Sequence, residues 1–448
     1  VRSFFSRYIA PLYLQPRLFF LLATGALLYV ASFFLPWLGI LPGIWTAVTV
    51  MLLLTDHLLL FRLREGLTAE RKTPERLSNG DSNTISVRAV SRYPFPVDAE
   101  CTDELPFQFQ ERDFRFGMRL RPGIARDLSY TLRPLKRGVY EFGELNVYVR
   151  SPLGLAARRY RFGGTRQIPV YPSFLQMRRY QLMAISNRLT ELGIKKTRRI
   201  GHSMEFEQVR DYVKGDDIRT INWKATARRN QMMVNSFTDE KSQQVYCLID
   251  KGRVMKMPFD GLSLLDHAIN ASVVLSNVAL LKQDKAGIIT FAEDIGDFLP
   301  ASGKVAQMNA ILELFHRQKT RYLETDHEKL YVQVRRRITQ RSLLMLFTNF
   351  ESVNALHRQL PYLRRIARDH LLIVVFFENS LLAEKVSASA DNVEEVYQQT
   401  IAAKFAFEKK LIVRELQRHG ILSMLTAPES LTVNTVNRYL ELKARQAI

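Results

Sequence analysis

Two uncharged apolar runs near the start of the chain constrain its fold more than any other feature. Residues 18–35 read LFFLLATGALLYVASFFL, and residues 37–61 are interrupted only by Asp56 and His57 near their end. A bilayer-spanning helix needs about 20 apolar residues, so two such runs joined at PWLGILPG read as a transmembrane hairpin. Trp37 and Trp45 fall near the turn, where interfacial anchors are expected. Arg2, Arg7 and Arg17 precede the first run, and Arg62, Arg64, Arg71 and Lys72 follow the second. The turn carries no Lys or Arg, so the positive-inside rule places both ends of the hairpin, and everything after Arg62, in the cytoplasm. The second run follows at once with no small-residue cleavage site, which argues for a retained anchor rather than a signal peptide. A buried helix pair in a soluble core is the alternative. Asp56 and His57 are expected at the inner interface, since Arg62 follows within two turns; an intramembrane polar site is the other reading.

The chain has 448 residues, enough for two or three domains, and a formal net charge of +20. That surplus reads as a solvated basic surface or as a sign of an anionic partner (lipid of the inner leaflet, an acidic protein or nucleic acid), with the solvated or lipid reading ahead of nucleic acid. No zinc-finger or RRM signature and no basic run interleaved with aromatics supports nucleic acid. The two cysteines, Cys101 and Cys247, lie far apart, which excludes a disulfide framework or a cysteine metal site and fits a reducing compartment.

Residues 1–66 are thus read as the anchor. Residues 67–175 change to short Val-, Tyr-, Phe- and Arg-rich runs punctuated by Pro and Gly, the pattern of a small antiparallel β-sandwich-like domain. Residues 176–244 form a third section. A helix is expected over 174–199, ending in the basic run Lys195, Lys196, Thr197, Arg198, Arg199, which reads either as a lipid-attracting segment or as a solvated linker. Then comes the dense stretch GHSMEFEQVRDYVKGDDIRTINWKATARRN, starting at Gly201. From residue 245 to 448 apolar strands alternate with helices. Strands are expected at 245–249, 287–291, 343–347, 371–377 and 421–425, with helices at 262–281, 305–317, 327–340, 354–368, 393–418 and 429–442. Continuous apolar strands joined by helices predict a parallel sheet covered on both faces, with ligands at the strands' carboxyl ends. Asp250 closes the first strand, Thr348 and Asn349 close a later one, and Thr325 precedes a helix, so these residues are expected to meet.

The stretch from Gly201, followed by QQVYCLID, resembles the signature of the DUF58 family, and the remainder resembles the Rossmann-like von Willebrand factor A-type domain that family carries. The layout of hairpin, β-domain with RSPLGL and VYPS, signature and α/β domain also matches. The resemblance implies a bacterial inner-membrane protein, commonly encoded beside MoxR-type AAA+ ATPases that assemble or activate other complexes, with no established enzymatic activity. It also implies a magnesium site built on DxSxS plus a Thr and an Asp. Here Asp250 is kept, Gly252 and Val254 replace the serines, Thr325 is the candidate threonine, and Asn349 stands for the later Asp. With two hydroxyls and a charge missing and Lys251 and Arg253 adjacent, the site is expected to be degenerate, with no cofactor beyond weak Mg²⁺. Asp250 is then expected to pair with a nearby Lys or Arg.

Within the signature, Gly201, Glu205, Phe206, Arg210, Tyr212, Gly215, Asp216, Asp217, Arg219, Asn222, Trp223 and Lys224 stand out. Asp216 or Asp217 is expected to cap a helix presenting Ile218, Ile221 and Ala225 on one face, with Trp223 packed back onto the β-domain or the first strand. The charges read first as an inter-domain clamp, second as a surface for a partner protein, and third as an acid/base or metal-binding pair. No P-loop, G-x-S-x-G, H-E-x-x-H or Cys–His pair occurs. The leading expectation is a non-enzymatic, membrane-anchored scaffold or adaptor for a protein partner, a MoxR-type ATPase. The alternatives are a metal-dependent hydrolase using Asp250 with Asp216 or Asp217, and a membrane-tethered nucleic-acid binder.

Overall fold

The computed structural model describes residues 10–448 apart from 112–113, 186–203, 214–215, 217, 240–241, 380–381, 383–385, 387–391, 446 and 448. The chain divides into two compact units, Val1–Tyr171 and Pro172–Ile448.

In the first unit, helices α1 (Pro16–Phe34) and α2 (Leu41–Phe61) form the apolar hairpin, each long and apolar enough to cross a membrane. The Trp45 indole donates to the Leu21 carbonyl at 2.9 Å, tying helix to helix. Trp37 in the turn is exposed. The strands are β1 (Leu12–Leu14), β2 (Leu67–Lys72), β3 (Leu77–Ser78), β4 (Asn83–Ser91), β5 (Val97–Asp103), β6 (Arg115–Leu120), β7 (Ala125–Leu132), β8 (Gly138–Phe142), β9 (Leu145–Arg150), β10 (Ala156–Phe162) and β11 (Arg166–Tyr171). They form sheets ordered β1-β10-β9-β5-β6, β2-β4-β7 and β3-β11-β8. Strict alternation of buried and exposed residues in β4 and β5 lets these strands face a core on one side and solvent on the other. Ile85, Leu132, Tyr140 and Phe142 make one cluster; Val87, Ala89, Val97, Val147 and Val149 make another.

The expected border at residue 66 is absent. Strand β1 precedes the hairpin yet pairs with β10, and Leu60 and Phe61 at the end of α2 are buried in the same cluster as the strands. Anchor and β-domain are therefore one unit.

In the second unit, α3 (Phe174–Ile185) covers the first part of the expected helix; the basic run after it lies outside the described residues. A two-stranded hairpin follows, β12 (Met204–Asp211) with β13 (Met233–Asp239), and between them the short helix α4 (Trp223–Arg229). The main sheet contains β14 (Gln244–Asp250), β17 (Lys285–Phe291), β18 (Ile295–Ser302), β19 (Leu343–Phe347), β20 (Leu371–Phe377) and β21 (Leu422–Thr426). β15 (Pro258–Phe259) and β16 (Leu262–Ser263) make a small separate ladder. The helices are α5 (Leu264–Leu281), α6 (Gln307–His316), α7 (His327–Arg337), α8 (Val353–Asp369), α9 (Val393–Arg418) and α10 (Leu431–Ala444).

Strand order is β18-β17-β14-β19-β20-β21, parallel except for the antiparallel edge strand β18, which the sequence reading missed. Unbroken burial along β17, β19 and β20 reflects cover on both faces. Helix α5 is also long and apolar enough to span a membrane, but 83% of its apolar window is buried inside this unit, against 11% for α1 and 22% for α2. Its apolarity is that of a core helix.

Candidate functional site

The order of the main sheet reverses at β14, whose neighbours β17 and β19 lead off in opposite directions. In open parallel sheets this reversal opens a crevice at the strands' carboxyl ends. Asp250 ends β14 there and is fully buried. One carboxylate oxygen accepts from the Gly252 amide at 2.7 Å and the Thr325 hydroxyl at 2.6 Å; the other accepts from the Thr348 hydroxyl at 2.6 Å. The expected pairing of Asp250 with a cation does not occur: threonine hydroxyls and a backbone amide take that role. Lys251 turns elsewhere, donating to Gln318 at 3.0 Å, and burial lowers its pKa.

Gly252 is dictated by space rather than backbone conformation. A Cβ at this position would lie 2.0 Å from the Thr325 hydroxyl oxygen, where no side chain fits. Val254 lines a shallow hollow over Asp250 together with Arg253, Thr325, His327, Thr348 and Asn349. Arg253 is exposed, 3.9 Å from both Glu324 and Glu351. Asn349 does not join the Asp250 cluster through its side chain. Its amide oxygen accepts from Lys409 of α9 at 2.6 Å, and the same ammonium donates to the Phe350 carbonyl at 2.5 Å. Burial pulls the Lys409 pKa down to about 8, against the opposing charges of Glu351 and Glu408. Beside Lys409 opens a largely apolar cleft of about 280 Å³, lined by Met257, Phe259, Phe377, Leu382 and Phe405.

His327 was not anticipated. It opens α7 behind the Asp326 cap, is buried edge-on to Phe291, and neither ring nitrogen makes a hydrogen bond of ordinary geometry. Burial lowers its pKa, opposed by the Asp250 charge and the Thr325 backbone. The tripeptide Thr-Asp-His at 325–327 carried a helix-cap signal, but nothing local marks the histidine as buried.

The magnesium ion expected from the resemblance requires several hard oxygen donors free to face it. Here both Asp250 oxygens accept protein hydrogen bonds, position 252 has no room for a serine, and Asn349 is held by an ammonium group. Among the described residues no three His, Cys, Asp or Glu side chains converge. These residues do not fit the ion.

The signature forms its own small module. Arg210 on β12 makes a bidentate pair with Asp216 at 2.7 and 2.9 Å, and Asp216 also accepts from the Val213 amide at 2.9 Å. The Arg210 guanidinium, then the amide, hold the Asp216 pKa below the usual carboxylate range. Asp216 therefore caps no helix. The cap is Asn222, accepting from the Ala225 amide at 3.0 Å and donating to Asn235 at 2.8 Å. The helix starts at Trp223, later than expected, so Ile218 lies in a preceding 3-10 turn and is exposed while Ile221 is buried. Trp223, expected to be packed, is 66% exposed. Lys224 is exposed and Tyr212, half-buried, donates its amide to Met232 at 2.8 Å. Gly201, Gly215 and Asp217 lie outside the described residues, as do the side chains of Glu205, Phe206 and Arg219. Asp216 and Asp250 have separate partners, so the expected carboxylate pair is not assembled from them.

The model of a family described as "Protein of unknown function DUF58" matches residues 208–381, from β12 into the segment after β20. "Uncharacterized protein YeaD" of Bacillus subtilis (strain 168) is 30% identical over 203 residues, 43% of this chain and 50% of the relative. The chain thus spans about half the length of that curated relative. Among solved structures, the conserved hypothetical protein BatB of Bacteroides thetaiotaomicron aligns at 14% identity over 46% of this chain and 100% of its own, with a TM-score of 0.29. The CARDB domain of PF1109 from Pyrococcus furiosus aligns at 13% identity over 24% of this chain and 93% of its own, with a TM-score of 0.17.

Proposed function

We propose that this chain is a non-enzymatic adaptor of the DUF58 kind, anchored by its hairpin in a bacterial inner membrane, with a von Willebrand factor A-type domain that binds a protein partner in the cytoplasm. The partner is a MoxR-type AAA+ ATPase, in the assembly or activation of other complexes. The observation that carries this reading is the signature module. Its charged residues Arg210 and Asp216 satisfy each other, while Val213, Ile218, Trp223 and Met232 are left exposed around them. Exposed Trp beside cations is the composition of a binding hot spot, not of an acid/base site. The saturated Asp250 supports the same view. A carboxylate held by three donors is neither a free base nor an open metal ligand, and the apolar cleft beside Lys409 offers a second contact for a partner.

The test is capture of a co-expressed MoxR-type ATPase by the tagged protein in detergent. Trp223→Ala should leave the melting temperature unchanged and weaken capture by about tenfold or more, the scale of a central aromatic anchor. Unchanged capture, or a metal-dependent hydrolysis abolished by Asp250→Ala, would overturn the reading and favour the hydrolase.

A further inference from the structure

We propose that the loop of residues 151–155 is a membrane-inserted part of the β-domain, seated in the interfacial layer between the cytoplasmic ends of α1 and α2 with Pro152 and Leu153 against lipid. The inference rests on the bilayer-spanning reading of the hairpin.

Length is the first argument. Helix α2 has 21 residues, about 31 Å at about 1.5 Å per residue, which matches a hydrocarbon core of about 30 Å. Asp56 falls one and a half turns before its end and is fully buried. If the membrane stopped at Asp56, residues 41–55 would offer only about 22 Å, too short for the core. The outer face of the last turns confirms where apolar surface ends: Leu58 is 66% exposed and Leu59 39%, both beyond Asp56. Lipid that covers those leucines reaches past the depth of Asp56.

Wiring is the second argument. Irregular backbone survives at membrane depth only where the protein itself satisfies its polar groups. The Leu155 and Ala156 amides donate to Asp56 at 2.9 and 2.8 Å, and the Ser151 hydroxyl donates to the same carboxylate. The Ser151 oxygen accepts from the Leu153 amide at 3.1 Å. The Leu153 carbonyl accepts from Arg17 at 3.3 Å, and the Leu155 carbonyl from the Gln15 amide at 3.0 Å. Pro152 brings no N–H. The loop thus draws its partners from the start of α1 and the last turns of α2, while its tip, Pro152 and Leu153, is uncharged, apolar and exposed. An acidic residue inside an apolar helix and a loop whose Leu153, Leu155 and Ala156 amides are taken up by it and by Ser151 are two halves of one device.

The full chain is reconstituted in phosphatidylcholine–phosphatidylglycerol vesicles with a bimane label on single introduced cysteines; Cys101 and Cys247 are buried and stay unlabelled. Leu27→Cys, in mid-helix, reports whether the hairpin is inserted. Phe107→Cys, beyond the far end of β5, reports the aqueous side. The label at Leu153→Cys should be quenched by lipids brominated near the glycerol end of the acyl chain, and several-fold less by iodide than the label at Phe107. Pro152→Cys repeats the measurement should the leucine change unsettle the loop. Iodide access at both loop positions equal to that at Phe107, with Leu27 still quenched by deeply brominated lipid, overturns the inference alone. Aqueous quenching at Leu27 overturns the membrane reading with it.

Discussion

At the scale of the residue, Asp250, Gly252 and Thr325 act as one unit. The Thr325 hydroxyl occupies the volume that a side chain at 252 would need, and it is held there by its bond to Asp250. Thr325→Ala should cost about 1–3 kcal/mol, because a buried carboxylate loses a donor. Gly252→Ser should cost about 1–3 kcal/mol or more through overpacking, since rotating Thr325 away breaks the same bond. The double variant should be less destabilised than the two single effects added, by about 1 kcal/mol, because its serine meets no hydroxyl. Urea unfolding of the four proteins measures this; strict additivity would show that the two residues do not share the space. The meeting of Asp250, Thr325 and Thr348 was legible in the sequence, because strand ends converge in a parallel sheet. The identity of their donors was not. Adjacent cations in sequence suggested an ion pair, yet Lys251 follows the strand's alternation to the other side and finds Gln318.

At the scale of the element, five strands of the main sheet and the helices around them were readable from their apolar runs and periods, whereas the β12–β13 hairpin and the β15–β16 ladder were not expected. The antiparallel edge strand β18 was not, since its half-exposed residues carry no continuous apolar run. Helix α4 was placed too early because an Asp-Asp pair imitates a cap, whereas Asp216 is committed to Arg210 and Asn222 does the capping. Lys409 was invisible for a different reason: it joins α9 to the end of β19 across sixty residues of sequence, and no local pattern encodes that contact. It gives the element a pH signature. The folded Lys409 titrates near pH 8, below its ordinary 10.5. Below pH 8 folded and unfolded chains both hold the proton, so this group adds no slope. Between about 8 and 10.5 the unfolded chain holds it and the fold does not, so stability rises with pH. From pH 7.5 to 9.5 the gain is about 2 kcal/mol. Lys409→Met should remove that rise in urea titrations at the two pH values; the same rise in the variant would assign it to other groups.

At the scale of the molecule, what the sequence could not disclose was that hairpin and β-domain are one body. A short strand before α1 closes onto β10, and Asp56 ties α2 to the loop before that strand. A soluble module so joined to its anchor cannot swing freely from it, so the orientation of the hairpin fixes the side on which the β-domain lies. Arg17, Arg62 and Arg64 flank the helices on one side, and the turn on the other carries no cation. The positive-inside rule therefore predicts that the β-domain faces the cytoplasm, and the second unit with it. Val305 offers a direct check. It is 98% exposed in the second unit, and the native thiols give little background, since burial pushes both Cys101 and Cys247 up to about 12. In intact cells Val305→Cys should resist a membrane-impermeant maleimide, then react fully once the membrane is permeabilised. Labelling in intact cells would reverse the hairpin, and with it the cytoplasmic ATPase as partner, while leaving the joint between Asp56 and its loop as it stands.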